Sequence, residues 1–384
     1  MARSIASNAL TIFVVLLLGV ASAVIWGNRE YSGSGPLAEA ICVQVPTGAS
    51  LGSVSQALKA QGAISSPTIF RLGAEYSKRS DLLKAGSFVV PAHASMEEII
   101  LAITASGRST CGTEVNYRIG VAMADMIVRD LDPATQKYEE VADIDIGVDP
   151  VPAEVLDILA EPSTRIRVTL AEGVTSWQVV EALKAAPFLS GELATVPAEG
   201  ALAPDSYEVG RNADRAALVA QMETRQADIL GDLWAARAPG LPYETPDEAL
   251  TMASIVEKET GVAEERPLVA SVFVNRLEQG MRLQTDPTVI YGVTGGKGVL
   301  GRGLRQSELA KATPYNTYVN RGLPPTPIAN PGRASIAAAL NPAESDYLFF
   351  VADGSGGHAF AATLVEHNAN VNRWRAIEAQ RANQ

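Results

Sequence analysis

Cysteine is almost missing from this chain of 384 residues. Cys42 and Cys111 stand far apart and form no CxxC pair, which argues against zinc or redox chemistry. Histidine is nearly as scarce. His358 and His367 are too distant to share a helical turn and His93 lies in another segment, so no metal site is expected. An excess of positive charge is missing too: 31 Lys and Arg face 43 Asp and Glu, a formal net charge of −12. With no basic stripe interleaved with aromatics, no nucleic-acid partner is expected. The glycine-rich segment 292–303 has neither a GxGxxG–helix context nor Walker spacing, and no nucleophile elbow surrounds any serine.

Long apolar runs are also rare, and there is one. Ala9 to Trp26 is broken only by Thr11, Gly19 and Ser22, and about 18 residues just span a bilayer. Arg3 precedes the run, whereas Arg29 behind it is offset by Glu30. That bias predicts a cytoplasmic tip over 1–8, a transmembrane helix over 9–27 and an exported body. Ala21-Ser22-Ala23 also fits a signal-peptidase site, so a cleaved signal is the rival reading. In either case the body is exported, and a Cys42–Cys111 disulfide becomes possible.

Nearly half the residues are apolar, so a chain of this length can build two or three cores. A short Ser/Gly linker follows the anchor. From Ile41 a unit then recurs: Pro46-Thr-Gly-Ala-Ser50 leads into a helix carrying Val54 and Leu58, and Ala171-Glu-Gly-Val-Thr175 leads into one carrying Val179 and Leu183. A weaker copy starts at Pro91 and Ser95. Each reads as strand, turn, Ser or Thr cap and short helix. Residues 41–107 therefore predict a small α+β module, and 108–165 a strand-rich acidic insert with a hairpin turn at Asp132. Residues 166–384 predict a mixed α+β domain, giving an α+β fold class overall.

One helix organises that domain. Thr245 suits the N-cap, Pro246 the first helical position, Glu248 completes a capping box and Gly261 is a natural stop. Glu257 and Glu259 near its end are two residues apart and so point to nearly opposite sides. Met252, Ile255 and Val256 share the face of Glu259, whereas Glu257 sides with Leu250, Ala253 and Ser254. A carboxyl held against the apolar set would be desolvated and stay protonated near neutral pH, as a general acid must. An exposed glutamate at a fraying end is the plain alternative.

The blocks ASIVEKET, ASVFVNRL, MRLQTDPTVIYG, TPYNTY, GLPPTPIANPG and LFFVADGSGGHAF resemble the endolytic murein transglycosylase family, also called YceG-like. The resemblance covers about residues 166–375, and more loosely the anchor and 41–107, where it implies a LysM-like module. It implies a single-pass inner-membrane protein whose bulk, in the periplasm, cuts nascent peptidoglycan glycan strands beside penicillin-binding synthases. The family's catalytic acid falls on Glu259, and cleft contacts are implied for Gln284, Thr285, Asp286, Tyr315, Asn316 and Tyr318. No metal or cofactor is implied. Pro204-Asp-Ser-Tyr207 departs from the family's PDTY block at Ser206, and the insert at 108–165 lies outside the usual pattern. A non-catalytic glycan-binding scaffold, and a hydrolase pairing Glu259 with Asp286 or Glu257, remain open as alternatives.

Overall fold

The computed structural model describes residues 2–105, 110–161 and 163–382, with side chains described between residues 11 and 381. The expected junction at 107–108 and Pro162 lie outside the described residues. The chain divides into two compact units: residues 1–115, 128–142 and 160–165 in the first, 116–127, 143–159 and 166–384 in the second.

The first unit begins with the helix Ala2–Ser32. Its stretch Thr11–Ser32, of mean hydropathy 2.0, is long and apolar enough to cross a membrane. The helix runs further than its apolar residues require, so Asn28 to Ser32 are helical and not part of the expected linker. The reason is local and tertiary: Ser32 donates to the Asn28 carbonyl at 2.9 Å, Glu30 accepts from the Ser65 hydroxyl, and Tyr31 packs against the core. That core gathers Val43, Leu58, Phe70, Phe88, Ile99, Ile100 and Ile103 between three short helices and an antiparallel pair, Ile41–Val45 with Gly86–Val90. A disulfide joins Cys42 to Cys111, with Cα atoms 5.7 Å apart.

The three recurring caps form alike. Ser50 pairs with Ser53, Ser95 with Glu98 and Thr175 with Gln178, each as a reciprocal capping box. Each turn places its third residue at positive φ: Gly48 at 77°, His93 at 58° and Gly173 at 79°. Histidine is uncommon in that left-handed region. Beyond them, Thr113–Ile119, Ala124–Asp132 and Lys137–Ile146 run as strands, the last two joined by the expected hairpin turn. Within the second unit, Ile166 to Thr169 of the strand Arg165–Leu170 pair antiparallel with Ser206–Val209.

In the second unit the organising helix is Pro246–Glu259, with Thr245 and Glu248 capping it as the sequence predicts. Every residue from Ala249 to Val256 is buried. The helix is therefore central and not amphipathic: helices Arg215–Ala235, Arg266–Glu278 and Arg333–Leu340 enclose it. Burial of Leu250, Ala253 and Ser254 alongside Met252, Ile255 and Val256 removes the contrast between faces on which the wheel argument relied. What differs between the two sides is the loops they reach. The helix ends with Thr260 as its C-cap, extended at φ −138°, so Gly261 follows the cap at the position expected of a stop; the Thr260 hydroxyl accepts from Val262 N–H at 3.0 Å.

Candidate active site

Glu259 is the last residue of the buried helix. The residue as a whole is half-buried, while protein atoms crowd the carboxyl and desolvate it. Burial is the largest influence on its pKa and pushes it up from the ordinary carboxyl value; the negative charge of Asp286 adds to the rise. A hydrogen bond from the Thr285 hydroxyl to Oε1, and the positive charges of His358 and Arg276, oppose it. A carboxyl so placed holds its proton at higher pH than a free glutamate does and can still yield it to a bound group.

The loop that brings Thr285 there is held from behind. Gln284 adopts φ 51°, its N–H donating to the Thr317 carbonyl at 3.2 Å. The Thr285 N–H donates to the Thr317 hydroxyl at 3.1 Å, and that hydroxyl meets the Thr288 hydroxyl at 2.9 Å. Two buried threonines, Thr288 and Thr317, thus hold the backbone of the buried Thr285, whose hydroxyl meets Glu259. Asp286 opens the helix Asp286–Thr294, where a carboxylate suits the helix dipole, and accepts from the Tyr318 hydroxyl at 2.6 Å.

Glu259, Thr285, Asp286 and Tyr318 therefore come together. Gln284 is exposed beside them. Asn316 is fully buried: its amide donates to the carbonyls of Glu308, Leu309 and Lys311, at 3.1, 3.0 and 2.7 Å, and its oxygen accepts from Tyr318 N–H at 2.9 Å. It shapes the loop and presents no free amide. Tyr315 belongs to a second cluster. Its ring lies 4.9 Å from that of Tyr291, its hydroxyl meets Thr326 at 2.8 Å, and Tyr291 donates to Glu199 at 3.0 Å. Burial raises the pKa of Glu199 in turn.

Glu257 faces elsewhere. It accepts from Gly332 N–H at 3.0 Å, and its charge acts on Glu172 and Lys258. Sequence reasoning missed Thr317, Arg276, Glu265 and His358. They lie up to 99 positions from Glu259 along the chain, and only their presence inside the quoted blocks could have drawn attention to them.

Comparison with known proteins follows this layout. The chain is 48% identical over 119 residues to the endolytic murein transglycosylase of Bacillus subtilis (strain 168), covering 31% of this chain and 32% of that protein. It is 27% identical over 341 residues to the endolytic murein transglycosylase of Streptococcus pneumoniae (strain D39), covering 86% of this chain and 58% of that one. The chain thus matches about a third of the first relative and little more than half of the second. A crystal structure of a YceG-like protein from Listeria monocytogenes aligns over 86% of this chain and 99% of that one, at 26% identity and a TM-score of 0.45. The YceG-like family profile matches residues 146–373, well over half of the chain and the whole of the site just described, and the chain belongs to that family.

Proposed function

We propose that this protein is a membrane-anchored endolytic peptidoglycan lytic transglycosylase. Glu259 is its general acid and then its base. Residues 9–27 would anchor it in the bacterial inner membrane with the N-terminus in the cytoplasm. Residues 41–107 would form a LysM-like, glycan-binding module, 108–165 an insert, and 166–384 the catalytic domain in the periplasm, working beside penicillin-binding synthases. The observation that carries this reading is the carboxyl of Glu259 at the end of the central helix, desolvated by burial and held by Thr285. The relatives' names supply the substrate class.

In the first half of the reaction Glu259 gives its proton to the oxygen joining N-acetylmuramic acid C1 to N-acetylglucosamine, and that bond breaks. In the second half the carboxylate takes the proton of the muramoyl C6 hydroxyl as its oxygen bonds to C1. A 1,6-anhydro ring closes and the acid is regenerated without consuming water. The nucleophile is part of the same sugar, so its effective concentration is high before any positioning by the protein. Acid–base help of this type is worth roughly 10²–10⁴-fold. Gln284, Thr285, Asp286, Tyr315, Asn316 and Tyr318 would line or shape the cleft.

Incubating wild type and Glu259→Gln with glycan strands, and weighing the products by mass spectrometry, tests this. Anhydro ends from wild type and none from the variant are expected. Cleavage by the variant would remove Glu259 from the role, and no cleavage by wild type would favour a glycan-binding scaffold. The charge of Asp286 beside Glu259 favours a second reading, hydrolysis with two carboxylates. That reading requires ¹⁸O from labelled water in the new reducing ends.

A further inference from the structure

A cavity of about 290 Å³ lies along the helix Asp286–Thr294, on the side that carries Pro287, Ile290, Tyr291 and Thr294. Spacings of three and four residues put one face of that helix against it. The helix follows directly on Thr285, whose hydroxyl meets Glu259. Val121, Val299, Leu300 and Ile328 add apolar walls. The walls are fixed from behind. Tyr291 donates to the buried Glu199 at 3.0 Å, and Gln178 donates to the Val121 carbonyl at 2.7 Å. Gly296, at φ 72°, allows its chain to approach Tyr291, since a Cβ there would lie 2.8 Å from the ring.

Two of the lining side chains carry formal charge, and both are cations, Lys258 and Arg302. Arg302 is already engaged by Glu308, through contacts of 2.6 and 2.9 Å. Lys258 is not. An ammonium has three protons to donate, and one goes to the Gly173 carbonyl at 3.2 Å. Among the described residues no carboxylate forms an ion pair with it. Its neighbour Glu257 accepts from Gly332 N–H and reaches it only as a charge through space. Burial lowers the pKa of Lys258 from the ordinary lysine value, and that charge opposes the fall. A partly desolvated ammonium against apolar walls gains most from an anionic partner.

We propose that this cavity binds the acidic peptide carried by the muramoyl residue of the glycan, with the Lys258 ammonium taking one peptide carboxylate and the apolar walls its aliphatic parts. The inference rests on the peptidoglycan reading of the site. Lys258 immediately precedes Glu259, so a substituent held there is anchored one residue from the acid. The volume argues for a peptide over a lone carboxylate, since cavities of about 300 Å³ and upward take ligands of drug size. The sign of the ligand follows from the lining, which holds no carboxylate.

The test titrates the full-length protein in detergent by calorimetry with three probes: N-acetylmuramoyl-tripeptide, the same compound with its peptide carboxylates amidated, and N-acetylmuramic acid. Wild type should bind the acidic tripeptide about tenfold more tightly than the amidated one. Lys258→Met should bind both about equally, and Lys258→Arg should keep most of the preference. Equal affinity of wild type for the two tripeptides, or binding of neither, overturns the proposal, as does a preference that survives in folded Lys258→Met. N-acetylmuramic acid bound as tightly as the acidic tripeptide would make the lactyl carboxylate the ligand and overturn the peptide assignment. The wild-type comparison needs no variant to fold and no bond to be cut. A protein that prefers the acidic tripeptide yet cleaves no glycan would end the catalytic reading alone, and one that cleaves without the preference would end this inference alone.

Discussion

Two acids two residues apart on one helix meet different surroundings. On one side Glu257 accepts from a backbone N–H, beside Lys258, Glu172 and Arg266. On the other, Glu259 meets the hydroxyl of a residue whose backbone two further threonines hold, together with the charges of Asp286 and Arg276. The first arrangement ties a helix end to the segment at Gly332. The second surrounds a carboxyl whose pKa burial pushes up from the ordinary value. The helix buries both flanks equally, so the difference comes from the loops delivered to each side.

The sharpest way to break this contrast is to exchange the acids for amides in turn. Glu259→Gln should cut glycan cleavage by roughly 10²–10⁴-fold, whereas Glu257→Gln should leave it within about tenfold of wild type, both measured as product formation rates. Comparable losses would mean that the two sides are not distinct. Thr285→Val should act next most strongly. It removes a donor that holds the Glu259 pKa down, so the descending limb of the pH–rate profile should move to higher pH and cleavage should slow by about tenfold. A profile that stays in place would show that the hydroxyl serves only the loop.

The same desolvation should be visible in stability. The folded pKa of Glu259 is raised above its ordinary 4.5, so the protonated form is favoured in the folded state. Its contribution is complete below 4.5 and is lost as pH rises through the raised folded value. Glu259→Gln has no such loss. Its Tm relative to wild type should climb with pH across that window, and a constant offset would contradict the burial argument.

The smallest effects belong to the capped helices that share a sequence pattern. Ser50→Ala should cost about 1 kcal/mol in denaturant unfolding. Thr175→Ala should cost about 1 kcal/mol more, because the Thr175 hydroxyl also bonds to the Gly296 carbonyl, deep in the second unit. Equal costs would mean that the tertiary bond adds nothing to the local cap.

The local features were legible because they rest on neighbours in sequence. The apolar run, the three strand–turn–cap–helix starts, the Asp132 hairpin and both ends of the central helix's capping box follow from residue type at fixed offsets. Glu259 was reachable from spacing and from the family blocks, although the premise of one apolar face did not survive, since a central helix hides every side. The roles within the site were not legible in that way. Asn316 and Tyr318 lie in one short motif, yet the amide is turned inward to three carbonyls and the phenol outward to Asp286. Glu265 and His358, in contact through Oε2 and Nδ1, are 93 positions apart.

Sequence alone determined where the capped helices and the Asp132 hairpin turn begin and which side chains could carry a proton, because those follow from local sterics, capping and chemical type. Only the tertiary structure decided which carboxyl is desolvated and what charges it feels. Burial and Coulomb interactions depend on distances through space, and those are set by how distant loops pack around the helix end.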